Sequence, residues 1–107
     1  LFNNTVDASA LTHLHIDMYT QQASTTVGIQ IRDVGANGVI ETDVNTGLPI
    51  GDDKDYRFTA TGLTVGGWTS FEISLGGDLA SQKNNLGAII LTDGPDFILD
   101  NIYFYKE

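Results

Sequence analysis

An acidic segment between residues 33 and 55 is the part of this sequence best suited to metal chemistry. It contains six of the 14 acidic residues, interleaved with Gly and Asn. Crowded carboxylates repel one another, so a folded domain tolerates them only in a fully solvated loop or around a hard cation. Oxygen-bearing side chains at alternate positions, beside glycines that permit tight turns, favour calcium. The predicted calcium ligands in this segment are Asp33, Asn37, Asp43, Asn45, Asp52, Asp53 and Asp55, and Glu41 lies among them.

An exposed acidic loop without an ion is the alternative interpretation of the same segment. The spacing partly resembles an EF-hand loop, but the segment lacks a Glu at the twelfth position and flanking helices, which argues against that site. It also contains no His or Cys, which argues against zinc.

The alternating stretch THLHIDMYT carries a second group of polar side chains on one face of a predicted strand. Those side chains are His13, His15, Asp17 and Tyr19. Two His residues at positions i and i+2 point the same way, so they could bind a metal, and the row could equally be a wetted sheet face. If this row were the floor of a ligand groove, Gln30, Arg32 and Glu72 would belong to the same floor, since they are predicted to face outward on other strands.

Aromatic side chains form a third group, because the apolar face of a sugar ring stacks on an aromatic plate. The candidates are Trp68, Tyr19, Tyr56, Tyr103 and Tyr105. Trp68 follows two glycines at the start of a predicted strand, a position that is compatible with exposure, and a core position is the alternative.

Asp100 is predicted to face the core, together with Ile98, Ile102 and Phe104 on the last strand. A lone buried carboxylate is costly unless it is paired or bound to a metal. Either a β-bulge turns Asp100 outward, or it binds backbone amides or a cation, which makes it a second metal candidate.

The elements that must position these groups are short strands separated by Gly-, Asn- and Asp-rich turns, with no sustained helical period. This pattern predicts an all-β sandwich. The predicted strands are 12–20, 26–33, 56–61, 68–75, 86–92 and 97–105, with one helical turn near Leu79 and Ala80. The fifth strand is apolar throughout and is therefore predicted to be central and covered on both sides.

Composition narrows the function. A chain of 107 residues is expected to form one domain. The formal net charge of −9 argues against nucleic acid and anionic lipid as partners. There is no Cys and no apolar run long enough to span a bilayer. Nucleophile-elbow, Walker and dinucleotide-binding motifs are absent from the sequence, so we expect no catalytic role.

Several motifs resemble a known family. LTHLHIDMYT and ILDNIYFYK are similar to the first and last strands of β-sandwich carbohydrate-binding modules appended to secreted polysaccharide-degrading enzymes and surface glycan-binding proteins of marine Bacteroidetes. IQIRDVGANG, followed by GDDKDYRFT, is similar to the acidic insertion of that group, and GGWTSFEISL resembles one of its strands. The motifs occur in the family's order. The insertion is longer than in that group, and the residues that usually precede the first matched strand are missing.

The resemblance implies a jelly-roll, galactose-binding-like sandwich that lacks its first strands and is a fragment of a larger multidomain protein. It also implies a secreted or cell-surface location, a structural calcium ion and a polysaccharide ligand such as a β-1,3-glucan or an agar-type galactan. The expected ligand-binding residues are Trp68, Tyr19, His13, His15, Asp17, Arg32, Glu72 and Tyr103. A calcium-stiffened spacer domain and a fragment of an enzyme remain as alternatives.

Overall fold

A computed structural model describes residues 4–21, 26–92 and 96–107 of the chain. Six strands and one short 3₁₀ helix alternate with loops. They are β1 (His13–Thr20), β2 (Val27–Asp33), β3 (Lys54–Ala60), β4 (Gly67–Ser74), the helix Gly77–Ala80, β5 (Leu86–Thr92) and β6 (Phe97–Tyr105). The strand and helix predictions are thereby confirmed to within two residues at each boundary. No helix in the described ranges has the length and apolarity needed to cross a membrane.

The strands form two three-stranded antiparallel sheets, ordered β4-β1-β6 and β3-β2-β5. The predicted all-β, sandwich-like fold is confirmed. The acidic loop joins β2 to β3, and it therefore belongs to the second sheet.

The core follows directly from the period-two pattern of β1 and β2, the central strands of the two sheets. Side chains on one face of each strand are at most 1% exposed and pack in a single apolar cluster between the sheets. They are Leu14, Ile16 and Met18 from β1 and Val27, Ile29 and Ile31 from β2. Burying each of these side chains contributes roughly 1.5–3 kcal/mol to folding, and the same alternation leaves the polar side chains of β1 on its outer face.

The predicted central position of β5 is wrong. β5 pairs with β2 on one side, and within the described residues its other side has only the isolated bridge between Val6 and Leu86. Its apolar run has another reason: Ile89 and Leu91 pack on the core, while Ile90 lies half-buried on the opposite face.

The predicted inward orientation of Asp100 is also wrong, because β6 contains a bulge. Asp17 pairs with Asp100 and His15 pairs with Tyr103, so two residues of β6 lie opposite one residue of β1. Asn101 adopts a positive φ of 50° at this point. The extra residue reverses the alternation, so that Asp100 is exposed, as the bulge interpretation predicted.

Candidate functional site

The outer face of the sheet β4-β1-β6 presents its side chains in four cross-strand rows. In each row a residue of β1 lies between its partners on β4 and β6. The rows are Trp68–Tyr19–Ile98, Ser70–Asp17–Asp100, Glu72–His15–Tyr103 and Ser74–His13–Tyr105. We call this surface the β1 face. From Tyr19 to His13 it extends about 20 Å, at about 3.3 Å per residue.

His15 occupies the centre of the β1 face between two carboxylates. Its Nδ1 lies 2.5 Å from Glu72 Oε1, and its Nε2 lies 2.8 Å from Asp17 Oδ1. Both ring nitrogens can donate at once only in the imidazolium form. The hydrogen bond to Glu72 is accordingly the largest cause that raises the pKa of His15.

Both carboxylates beside His15 are held by further donors. The Ser70 hydroxyl donates to Asp17 Oδ1 over 2.5 Å, and Asn101 Nδ2 donates to Asp17 Oδ2 over 2.8 Å. These two bonds are the main causes that lower the pKa of Asp17. These hydrogen bonds fix the orientation of the Asp17 carboxylate.

At the neighbouring carboxylate, the Tyr105 hydroxyl donates to Glu72 Oε2 over 2.8 Å. This bond lowers the pKa of Glu72 and raises the pKa of Tyr105 to about 12. Tyr105 therefore remains a hydrogen-bond donor at neutral pH, and the Glu72 side chain, 51% exposed, remains within reach of a ligand.

Aromatic rings lie at both ends of the β1 face. Trp68 is 52% exposed, which decides between the exposed and core positions left open by the sequence, and its ring centroid lies 5.5 Å from that of Tyr19. Tyr103, in the same row as His15, is 50% exposed and stacks on His15 with centroids 4.6 Å apart and planes within 10°. Tyr105 stacks on His13 at 5.2 Å.

A cavity of about 320 Å³ opens beside the Trp68 end of this face. Its lining residues are Tyr19, Thr20, Gln21, Asp96, Phe97 and Ile98. Tyr56, the remaining candidate aromatic, lies on the other sheet and packs partly against the core, so it is not part of the β1 face.

Arg32 does not belong to the β1 face, contrary to the sequence-based expectation. It points away from the core of its own sheet, but the acidic loop covers it and only 1% of it is exposed. Its Nη1 donates to Glu41 O, Thr42 Oγ1 and Asp53 Oδ2 at 3.0–3.2 Å. Alternation indicated its direction correctly, but strand periodicity contains no information about a loop that folds back over the strand.

Within the acidic loop, the structure brings three carboxylates together. Glu41, Asp52 and Asp53 each offer one oxygen within 4.8 Å of the others. We call this group the acidic cluster. Glu41 was recognised within the acidic segment but was not among the predicted ligands; the closing of the loop brings it to Asp52 and Asp53.

Several predicted calcium ligands have other roles. Buried Asp33 accepts hydrogen bonds from Gly35 N, Gln82 Nε2 and Asn85 N, which satisfies both its oxygens. Asp43 caps its own turn by accepting from Asn45 N.

The remaining members of the predicted set are also distributed around the fold rather than gathered at one point. Asn37 donates to Glu41 Oε1 at the edge of the acidic cluster. Asp55 accepts from Gln30 and Arg57. Asp100 lies on the opposite sheet.

Two glycines allow the acidic loop to close over its own carboxylates. A Cβ on Gly35 would lie 2.2 Å from the Asp52 carboxyl carbon, and a Cβ on Gly51 would lie 2.7 Å from Glu41 Oε2. Both glycines have a positive φ, of 68° and 63°, that residues with a Cβ rarely adopt. The loop therefore depends on glycine at these two positions for both conformation and space.

Comparisons with known proteins give no match to any family model, any curated protein or any solved structure. The likeness to carbohydrate-binding modules therefore rests on the sequence motifs quoted above.

Proposed function

We propose that this chain is a non-catalytic carbohydrate-binding module that uses the β1 face to hold a polysaccharide. The observation that carries the proposal is the combination on one surface of two exposed aromatic rings, Trp68 at one end and Tyr103 in the row of His15, with a fixed hydrogen-bonding network beside them. Sugar rings stack on aromatic plates through their apolar faces, and their hydroxyls need donors and acceptors between the stacking points. A face about 20 Å long has room for several consecutive sugar units.

The network around His15 supports this function because it orders the polar groups before a ligand arrives. Glu72 and Asp17 are already fixed by their partners, so binding costs little side-chain entropy. Glu72 presents a half-exposed carboxylate as an acceptor for sugar hydroxyls.

The charge of the β1 face favours a neutral glycan. Asp17, Glu72 and Asp100 lie on the face itself, and Glu107 contacts His13 at its end. A sulfated or uronic acid polymer would be repelled by these carboxylates and by the net charge of −9. The family resemblance narrows the ligand further, to a β-1,3-glucan or an agar-type galactan, on a secreted or cell-surface parent protein.

The proposed mechanism is positioning. A module that holds the polymer raises the local concentration of any enzyme or surface domain linked to it. The residues proposed to contact the glycan are Trp68, Tyr19, Asp17, Glu72 and Tyr103, with His13 and His15 holding the network in place. Arg32, which was expected to bind the glycan, is buried under the acidic loop and is not among the proposed contacts.

Native affinity electrophoresis against a panel of polysaccharides tests the proposal. We expect the wild-type chain to be retarded by at least one neutral glycan and Trp68→Ala to bind it at least about tenfold more weakly, a loss of about 1.4 kcal/mol. Thr59→Ala, an exposed substitution on the other sheet, is the matched control and should migrate like the wild type. Retardation of Trp68→Ala equal to that of the wild type, or no retardation by any glycan, would contradict the proposal.

A structural spacer is the second candidate, and one observation favours it. The polar groups of the β1 face bond extensively to one another, as they would on a surface that only has to be stable in water. A spacer would show no retardation with any polysaccharide, and Trp68→Ala would change neither binding nor stability appreciably.

A further inference from the structure

We propose that the acidic cluster is the binding site of one calcium ion. This proposal concerns a different sheet from the β1 face and is independent of glycan binding. It replaces the broad ligand set expected from the sequence with three protein carboxylates, from Glu41, Asp52 and Asp53.

The first argument is geometric. Calcium binds oxygens at 2.3–2.6 Å, so ligands on opposite sides of one ion are about 4.6–5.2 Å apart. The three carboxylate oxygens lie within 4.8 Å of one another and therefore fit around a single ion of this size. Because all three donors are oxygens, the cluster favours a hard cation over zinc or copper.

The second, independent argument comes from unpaired buried atoms. Asp53 is 2% exposed, and Asp53 Oδ1 has no hydrogen-bond partner among the described residues; the same holds for buried Asp52 Oδ1. A buried carboxylate oxygen without a partner is strongly unfavourable, whereas nearly all buried polar atoms in proteins are satisfied. A cation supplies the missing partner for both oxygens.

Charge gives the third argument. Arg32 donates to Asp53 Oδ2 over 3.1 Å and is as buried as Asp53. When all three carboxylates are ionised, they and the one guanidinium have a net charge of −2. One divalent cation would compensate it. Arg32 holds only one side of the cluster, so it does not replace the cation.

The site is also built by the loop rather than by chance proximity. Gly35 and Gly51 have no side chains where the carboxylates of Asp52 and Glu41 lie. Asn37 orients the Glu41 carboxylate through a hydrogen bond of 2.8 Å. Calcium bound here would tie the middle of the loop between β2 and β3, at Glu41, to its C-terminal end at Asp52 and Asp53, and would stabilise the covering of Arg32.

Thermal unfolding with and without calcium tests this proposal. Wild-type chain stripped with EDTA is melted in excess EDTA, in calcium chloride and in magnesium chloride. At calcium concentrations about a hundredfold above the Kd, we expect the Tm to rise by on the order of 10 °C. A larger rise with magnesium than with calcium would overturn the assignment of the ion.

Glu41→Gln and Asp52→Asn locate the site. Each should lose most of the calcium-induced rise in Tm, measured against the Tm of the same variant in EDTA. Asp43→Asn, in the same loop but outside the cluster, is the matched control and should respond to calcium like the wild type. A wild-type Tm indifferent to calcium, or a full calcium response in Asp52→Asn, would overturn the proposal.

Discussion

At the scale of single side chains, His15 links the two carboxylates at the centre of the β1 face. It is the one residue of this network that bonds to both Glu72 and Asp17, and its ring also supports Tyr103. A neutral imidazole would have only one N–H to donate, so one of the two carboxylate contacts would lose its hydrogen bond. The charge state of His15 therefore decides how rigidly the centre of the face is held.

This arrangement predicts a pH dependence of stability with a defined sign. The folded-state pKa of His15 is raised above 6.5, the value for an unperturbed side chain. A raised pKa means that the folded state binds the proton more tightly than the unfolded state does. The stabilisation is therefore complete below about pH 6.5 and is lost as the pH rises through the folded-state pKa. Urea unfolding between pH 5.5 and about 9 measures it.

His15→Gln provides the comparison, because it removes this titration. The free energy of unfolding of the wild type should fall relative to that of His15→Gln as the pH rises, and His13→Gln should retain the fall. A constant difference between wild type and His15→Gln over the whole range would show that His15 is not held as an imidazolium. Below that pH range, the lowered pKa values of Asp17 and Glu72 predict a separate loss of stability as the pH falls and those groups are protonated.

At the level of elements, the acidic loop depends on its glycines to different degrees. Gly35 and Gly47 have similar positive φ values, of 68° and 72°. A Cβ on Gly35 would overlap the Asp52 carboxylate, whereas a Cβ on Gly47 would meet nothing within 4 Å. Both replacements by Ala carry the backbone cost of about 1–2 kcal/mol, but only the first carries a steric cost as well.

We therefore expect Gly35→Ala to lower the free energy of unfolding by clearly more than Gly47→Ala does, measured by urea denaturation in the same buffer. Gly47→Ala is the control for the backbone conformation alone. Equal losses for the two variants would contradict the close packing of the loop over its carboxylates.

The strands show what sequence could and could not reveal. Leu14, Ile16 and Met18 alternate with polar residues, and this local pattern alone fixed the inner face of β1. The position of the β6 bulge could not be predicted from the sequence, because it depends on pairing with β1, which is far away in the sequence. The sequence therefore showed that a core-facing Asp100 would be unusual, but it did not decide whether the side chain points outward.

The candidate site was predictable to a similar extent. Alternation along single strands predicts the outward directions of Trp68 and His15, but their position on one face depends on the pairing of β4 with β1. The pairing of Glu41 with Asp52 depends on how a long loop closes, and the burial of Arg32 depends on the same closure. Neither has a periodic signal in the sequence.

For the whole molecule, the two-sheet architecture separates the two proposed binding sites. The β1 face belongs to the sheet β4-β1-β6, and the acidic cluster is built by the loop between β2 and β3 of the other sheet. A ligand on one sheet therefore need not contact the ion on the other. Losses at Trp68 and at Asp52 should then be separable, one in glycan binding and the other in calcium-dependent stability.

The central claim, that the β1 face holds a neutral glycan, is tested most directly by mapping the bound surface. Soluble oligosaccharides of the β-1,3-glucan and agarose series are titrated into ¹⁵N-labelled chain, and amide chemical shifts are followed by NMR. The claim predicts that saturable shifts for one series cluster on β1, β4 and β6, centred on Trp68, Tyr19 and His15. Shifts centred on β3 and β5, or none with either series, would contradict it.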